Sequence, residues 1–234
     1  EESLGHPKFS NEKPENVVGV TTGLAWTSMG GATLNIEASR IHTLNRGFKL
    51  SGQLGNVMQE SANIAYSYVS SNLARYKGDP KFFDEAFVHL HVPDGATPKD
   101  GPSAGITMAT ALLSLARNEK LKEQVAMTGE LSLTGHVLPV GGIREKIIAA
   151  RRVGIKNIII PFDNKHDFDE MPDYLKEGLT MHFAKHFEDV VKLTFMPRTK
   201  VSLSQRASEG LNQRRRLSRA KSSQRRTVAD STTG

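Results

Sequence analysis

The chain has 234 residues, no cysteine and a formal net charge of +6, from 31 Lys/Arg against 25 Asp/Glu. That length can bury a real core as one large domain or two small ones. The absence of cysteine excludes disulfides, thiolate metal sites and cysteine nucleophiles. No stretch reaches the roughly 18 uninterrupted apolar residues that a membrane-spanning helix needs. The charge is also unevenly placed. Residues 197–234 hold ten Lys/Arg against Glu209 and Asp230, a net +8, which leaves 21 basic and 23 acidic groups, or −2, in residues 1–196. The basic character therefore belongs to the C-terminal segment, and it is no argument that the globular part binds nucleic acid.

Residues 1–16 are polar and read as a linker. The opening EESLGHPKFS has no signal-peptide pattern and does not begin with methionine, as expected of a piece of a longer protein. Residues 17–52 carry β-rich runs, VVGVTTGLAWT and ATLNIEAS, broken by the turn-prone SMGG. Between Leu54 and Tyr76 the apolar residues Leu54, Val57, Met58, Ala62, Ala65, Val69 and Leu73 recur at the spacing of one helix face. FVHLHV (87–92) alternates like a strand and leads into the loop PDGATPKDGP, after which SAGITMATALLSLARN reads as a helix beginning at Ser103. Residues 124–140 suggest strands around a turn at Thr134–Gly135, and a helix follows over 143–153. The strand NIIIP, a short acidic helical stretch, the strand LTMHFAK and the helix HFEDVVKLTF complete the pattern. Alternating strands and helices in the second half place the fold in the α/β (α+β) class. Residues 197–234, rich in Ser, Arg, Gln and Thr, have too little apolar surface to offset chain entropy and are expected to be disordered.

Two residues carry candidate chemistry. Ser103, within PKDGPSAG, can be read as an N-cap, whose hydroxyl accepts a free N–H of the first helical turn. It can also be read as a nucleophile, set on a tight turn between small neighbours at the positive end of a helix. GPSAG fits G-x-S-x-G, although that pattern alone is weak. On a helical wheel Ser103, Thr107, Thr110 and Ser114 form a narrow hydroxyl strip on an otherwise apolar helix. A serine nucleophile needs a base. Histidine could serve: His89 and His91 share a strand face just ahead of the serine loop, and a Ser–His–Asp order could be assembled from Asp163 or Asp167 with His182 or His186. Nothing in the spacing favours that set, and no HExxH pattern marks a zinc site. Lysine is the other option. In IREKIIAARRV, Lys146 falls inside the apolar stripe of Ile143, Ile147, Ala150 and Val153, in the helix's first turn. Such a lysine can snorkel to solvent. If it is instead held inside, burial and the helix dipole both lower its pKa and make it a base.

The stretches HVPDGATPKDGPSAG, AMTGELSLTGHVLPVGGIREKIIAARRVGIKNIIIP and GLAWTSMGGATLNIE strongly resemble the proteolytic domain of Lon, the ATP-dependent Ser–Lys protease family. The likeness covers about residues 17–195. It implies a compact domain of mixed β-sheets packed by helices over 17–196, with Ser103 as catalytic serine and Lys146 as catalytic lysine. Thr128, in AMTGE, would lie near the dyad and orient Lys146; Asp100, from its own place in the serine loop, is expected to gate or shape it. The resemblance further implies an ATP-dependent serine endopeptidase acting on unfolded or damaged proteins, a homo-hexamer, and an AAA+ module N-terminal to residue 1. No G-x-x-x-x-G-K-[ST] loop occurs in the chain, so ATP and Mg are expected only in that module. The expected location is the cytoplasm in a bacterium or the mitochondrial matrix in a eukaryote, with no membrane partner. The resemblance does not reach residues 197–234, whose charge suits a weak contact with nucleic acid or an acidic partner. The rival readings are a Ser–His–Asp hydrolase and a non-catalytic module that binds through the basic tail.

Overall fold

A computed structural model describes residues 17–27, 30–93 and 98–196. The chain runs β1 (Val20–Thr27), β2 (Gly30–His42), β3 (Gly47–Ser51), α1 (Asn56–Asn72), α2 (Phe82–Glu85), β4 (Phe87–His91) and α3 (Gly105–Arg117). It continues through β5 (Val125–Met127), β6 (Glu130–Leu131), β7 (Val137–Leu138), α4 (Ile143–Arg152) and β8 (Asn157–Pro161). A 3-10 turn at Phe162–Asn164, α5 (Lys165–Asp169), α6 (Asp173–Lys176), β9 (Thr180–Ala184) and α7 (Phe187–Thr194) close it.

Seven strands form one mixed sheet in the order β3-β4-β2-β1-β5-β8-β9, and β6 and β7 form a separate hairpin. β1 and β2 pair antiparallel, from Val20 opposite Glu37 to Thr27 opposite Gly30. The strands β1, β5, β8 and β9 run parallel. Along β2 the pleat separates buried Ile36 and Ala38 from exposed Glu37 and Ser39, so this end of the sheet has one wet face. β8 is covered on both faces, and its three isoleucines are fully buried. Ile159 belongs to the same core cluster as Met58 and Ala62 of α1 and Ile106 and Leu112 of α3, whereas Ile158 and Ile160 belong to the cluster that holds Ile143, Ile147 and Ala150 of α4. The alternation of a strand thus divides the core into two layers, one on each side of the sheet.

The α/β expectation and most helix assignments agree with this architecture. One boundary differs in a way that matters. The helix after the serine loop starts at Gly105, with Ala104 as its N-cap, so Ser103 stands in the preceding turn and not on the helix. The hydroxyl strip read from the wheel is accordingly internal. Thr107, Thr110 and Ser114 are fully buried, and Ser114 Oγ donates to the Glu119 carbonyl at 2.6 Å while accepting the Gly19 N–H at 2.9 Å. The expected linker at 1–16 and the basic tail at 197–234 lie outside the described residues.

Candidate active site

Ser103 is fixed through its backbone. Its carbonyl accepts the Gly129 N–H at 2.8 Å and the Thr128 hydroxyl at 3.1 Å, and the Gly129 carbonyl in turn accepts the Ile106 N–H at 3.1 Å. The turn before α3 is thereby clamped onto the chain that leaves β5. Gly105 allows the close approach, since a Cβ there would stand 2.7 Å from the Leu131 amide nitrogen. The Ser103 side chain is half-buried and caps nothing, because Ala104 holds the N-cap position without a side-chain bond. The N-cap reading therefore fails. Among the described residues the N–H groups of Ser103 and Ala104 make no hydrogen bond, whereas those of Gly105 and Ile106 are taken by Pro102 and Gly129.

Asp100, three residues earlier, ties the loop down from the other side. Its Oδ1 accepts the Met58 N–H at 2.9 Å and the Gly101 N–H at 2.8 Å. Met58 lies in the first turn of α1, whose N-cap is Gly55 and supplies no side chain. Asp100 thus performs in trans what an N-cap does locally. These N–H donors, Met58 first, hold its carboxyl below the usual carboxylate range. Gly55 must lack a side chain here, because a Cβ would meet the Asp100 carboxylate at 2.4 Å.

Lys146 enters from the opposite layer. It sits one turn into α4, only 2 % exposed, and does not snorkel. Burial lowers its pKa from the ordinary 10.5 to about 8. Its Nζ donates to Thr128 Oγ1 at 3.0 Å, and Thr128 is itself fully buried. Thr128 therefore joins the two candidates, with the lysine head on its oxygen and its own proton on the Ser103 carbonyl. The threonine is placed by its backbone, which donates to Ile159 of β8 at 3.0 Å. The α4 end that carries Lys146 is held by two glycines. Gly142 takes φ +69° at the N-cap against the Trp26 ring, and a Cβ on Gly31 of β2 would fall 1.9 Å from the Glu145 carbonyl oxygen. In the sequence SMGG reads only as a turn, and no local signal marks Gly31 as a place where β2 approaches α4.

The histidine alternative does not come together. The His182 ring on β9 contacts Asn157 Oδ1 at 3.3 Å, and His186 is the N-cap of α7, paired with Asp189 in a capping box. Asp167 accepts a hydrogen bond from Asn164, and Asp163 lies in the 3-10 turn. Among the described residues none of these groups hydrogen-bonds to Ser103, and no cluster of three or more His, Asp or Glu is arranged to hold a metal.

Comparison with known proteins gives the same direction. Residues 1–197 match the family model of the Lon protease (S16) C-terminal proteolytic domain. The chain belongs to this Lon proteolytic-domain family. It is 76 % identical over 202 residues to Lon protease 2 of Hydrogenovibrio crunogenus, covering 86 % of this chain and 23 % of that protein. It is 58 % identical over 193 residues to Lon protease 1 of Syntrophotalea carbinolica, covering 82 % and 24 %, and 56 % identical over 192 residues to Lon protease of Magnetococcus marinus, with the same coverage. The chain spans about a quarter of the length of these relatives. As the Lon resemblance implies, the domain is a mixed sheet packed by helices. Among the described residues no helix is long and apolar enough to cross a membrane.

Proposed function

We propose that this Lon-family domain is a serine endopeptidase that uses a Ser103–Lys146 dyad. The observation that carries the reading is the Thr128 bridge between a buried, pKa-depressed lysine and the carbonyl of a half-buried serine. A threonine hydroxyl has one proton. Thr128 gives that proton to Ser103, so its oxygen can only accept from Lys146. One N–H of the neutral amine is thereby fixed, which orients the lone pair that takes the Ser103 Oγ proton. As the proton leaves, Oγ attacks the substrate carbonyl and the developing oxyanion takes the free N–H groups of Ser103 and Ala104. The ammonium of Lys146 then protonates the leaving amine. A water then attacks the acyl carbonyl as its proton passes to neutral Lys146, and the ammonium returns that proton to Ser103 Oγ as the acid product leaves. Asp100 keeps the serine loop in register by its grip on α1.

In the whole protein this domain works beside an AAA+ module that uses ATP and Mg, in a homo-hexamer acting on unfolded or damaged proteins. Residues 197–234 add a weak, salt-sensitive attraction to nucleic acid or acidic partners. The test of the dyad is cleavage of an unstructured peptide by wild type beside Ser103→Ala and by labelling with a serine-directed acylating reagent. Wild type cleaves and is labelled at Ser103, and Ser103→Ala does neither. Cleavage that survives in Ser103→Ala would remove the proposal, and loss of activity in His182→Ala or His186→Ala with an active Lys146→Ala would move the base to histidine.

A further inference from the structure

A second cluster of chemistry-bearing groups stands on the wet face of the sheet, where β4 lies between β2 and β3. His89 and His91 are two residues apart on β4, so their side chains share one face. Both are half-buried. His89 Nε2 lies 2.7 Å from Ser51 Oγ and His91 Nδ1 lies 2.6 Å from the same oxygen. Two imidazole nitrogens from different ring positions therefore converge on one point. The hydroxyl between them has a single proton and can donate to only one ring, so the other ring must turn an N–H toward it. The arrangement brings two potential lone pairs to a common centre and satisfies them unequally. The ladder places Glu37 of β2 directly opposite His91, and Ser39 opposite His89. Lys49 of β3 is the in-register neighbour of His89 on the same side.

We propose that His89 and His91 form a site for a divalent transition-metal ion of the zinc, nickel or copper class. Neutral imidazole is a good ligand for these ions, at metal–nitrogen distances of about 2.0–2.1 Å. The ion takes the central position from the serine proton: the ring that donated to Ser51 changes tautomer, losing its facing proton to solvent and taking one up on its other nitrogen, and Ser51 turns away. Water fills the remaining positions. With two protein nitrogens the site is a weak one, of micromolar affinity. It differs in residues and in chemistry from the proposed dyad. It also adjoins the root of the serine loop, since the Ser51 carbonyl accepts the Val92 N–H at 3.0 Å.

The experiment is a zinc titration of the full 234-residue chain by competition with a chromophoric chelator. Wild type binds zinc in the micromolar range. The double variant His89→Gln/His91→Gln loses at least tenfold in affinity, whereas Ser51→Ala binds as tightly or more tightly, because the hydroxyl competes with the metal and does not ligate it. Absence of micromolar binding by wild type overturns the proposal. So does unchanged binding in the double variant, which would assign the ion to other histidines, such as the neighbouring His136 and His186 with ring centroids 4.3 Å apart. If the double variant does not fold, NMR of wild-type imidazole signals decides. Zinc must shift His89 and His91 together, and shifts confined to other histidines overturn the site.

Discussion

Lys146 carries the sharpest consequences at the scale of single residues. As a base it must be neutral, so peptide cleavage should rise with pH through an apparent pKa near 8 and level off above it. Rates measured from pH 6 to 10 with a peptide substrate test this, and a flat profile would remove the lysine. Lys146→Arg should be as inactive as Lys146→Ala, since guanidinium stays protonated throughout. The same depressed pKa has a sign in stability. Between about 8 and 10.5 the unfolded chain binds the lysine proton and the folded one does not. Stability from this group therefore rises with pH across that window, and the full cost of charging it inside the fold applies below it. A displacement of that size corresponds to roughly 3 kcal/mol. Lys146→Met should remove the cost and leave Thr128 still donating to Ser103, raising stability at pH 7 by about 1–3 kcal/mol and abolishing cleavage. Chemical denaturation at pH 7 and pH 10 checks both halves: the gain should shrink at the higher pH. The apolar stripe alone left Lys146 either buried or snorkelling to solvent, and the structure decides for burial. Its partner Thr128 came only from the Lon resemblance, because 18 residues away it looks by itself like any strand-end threonine.

At the scale of elements, the site depends on where a strand and a loop meet two helices. Gly31 of β2 lies close against the first turn of α4, and Gly31→Ala would set a methyl group against the Glu145 carbonyl. The helix end must shift and carry Lys146 with it. We expect a loss of about 1–3 kcal/mol, in the range of overpacked sites, with a fall in kcat larger than the change in KM. Denaturant melts with peptide kinetics measure the two together. Asp100 makes a different prediction. Its contribution is present above the ordinary carboxylate range and disappears as pH falls through its lowered pKa. Asp100→Ala should mimic that loss at neutral pH, lowering kcat and speeding amide exchange at Met58, while Asp100→Asn should retain part of both. An unaltered exchange rate at Met58 would show that the loop does not lean on α1. The elements themselves were mostly legible, because α1, α3 and α4 carry helical periodicity and β2 and β4 alternate. The contacts between them were not. Asp100 and Met58 are 42 residues apart, and no local pattern says that an aspartate in a loop will cap a helix so far upstream. Even the start of α3 was misplaced by two residues, since serine is a preferred N-cap and only the clamp on Gly129 shows why Ser103 is held outside the helix.

At the scale of the whole molecule, the chain has the proposed peptidase chemistry but no phosphate loop. The isolated chain should cleave unstructured peptides and fail on a stably folded protein, with or without ATP; nucleotide-stimulated degradation of a folded substrate would contradict this. Removing residues 197–234 should leave melting temperature and peptide cleavage nearly unchanged, and should abolish any salt-sensitive retention on nucleic acid. A large drop in melting temperature on truncation would show that those residues contribute to the fold. The Thr128 bridge has one further consequence, for the order in which the molecule is made. Thr128 joins groups 25 residues before it and 18 after it, and its own backbone is held by Ile159. None of these meetings can form within a single hairpin or helix, and the backbone bond that places Thr128 waits for the parallel strands β5 and β8 to pair, a slow class of event because loop closure comes first. A chain still emerging from the ribosome would then have its serine without its lysine. In refolding experiments peptide cleavage should return in step with the slowest recovery of tertiary structure and never ahead of it, so that the polypeptide is harmless to its neighbours until it is complete.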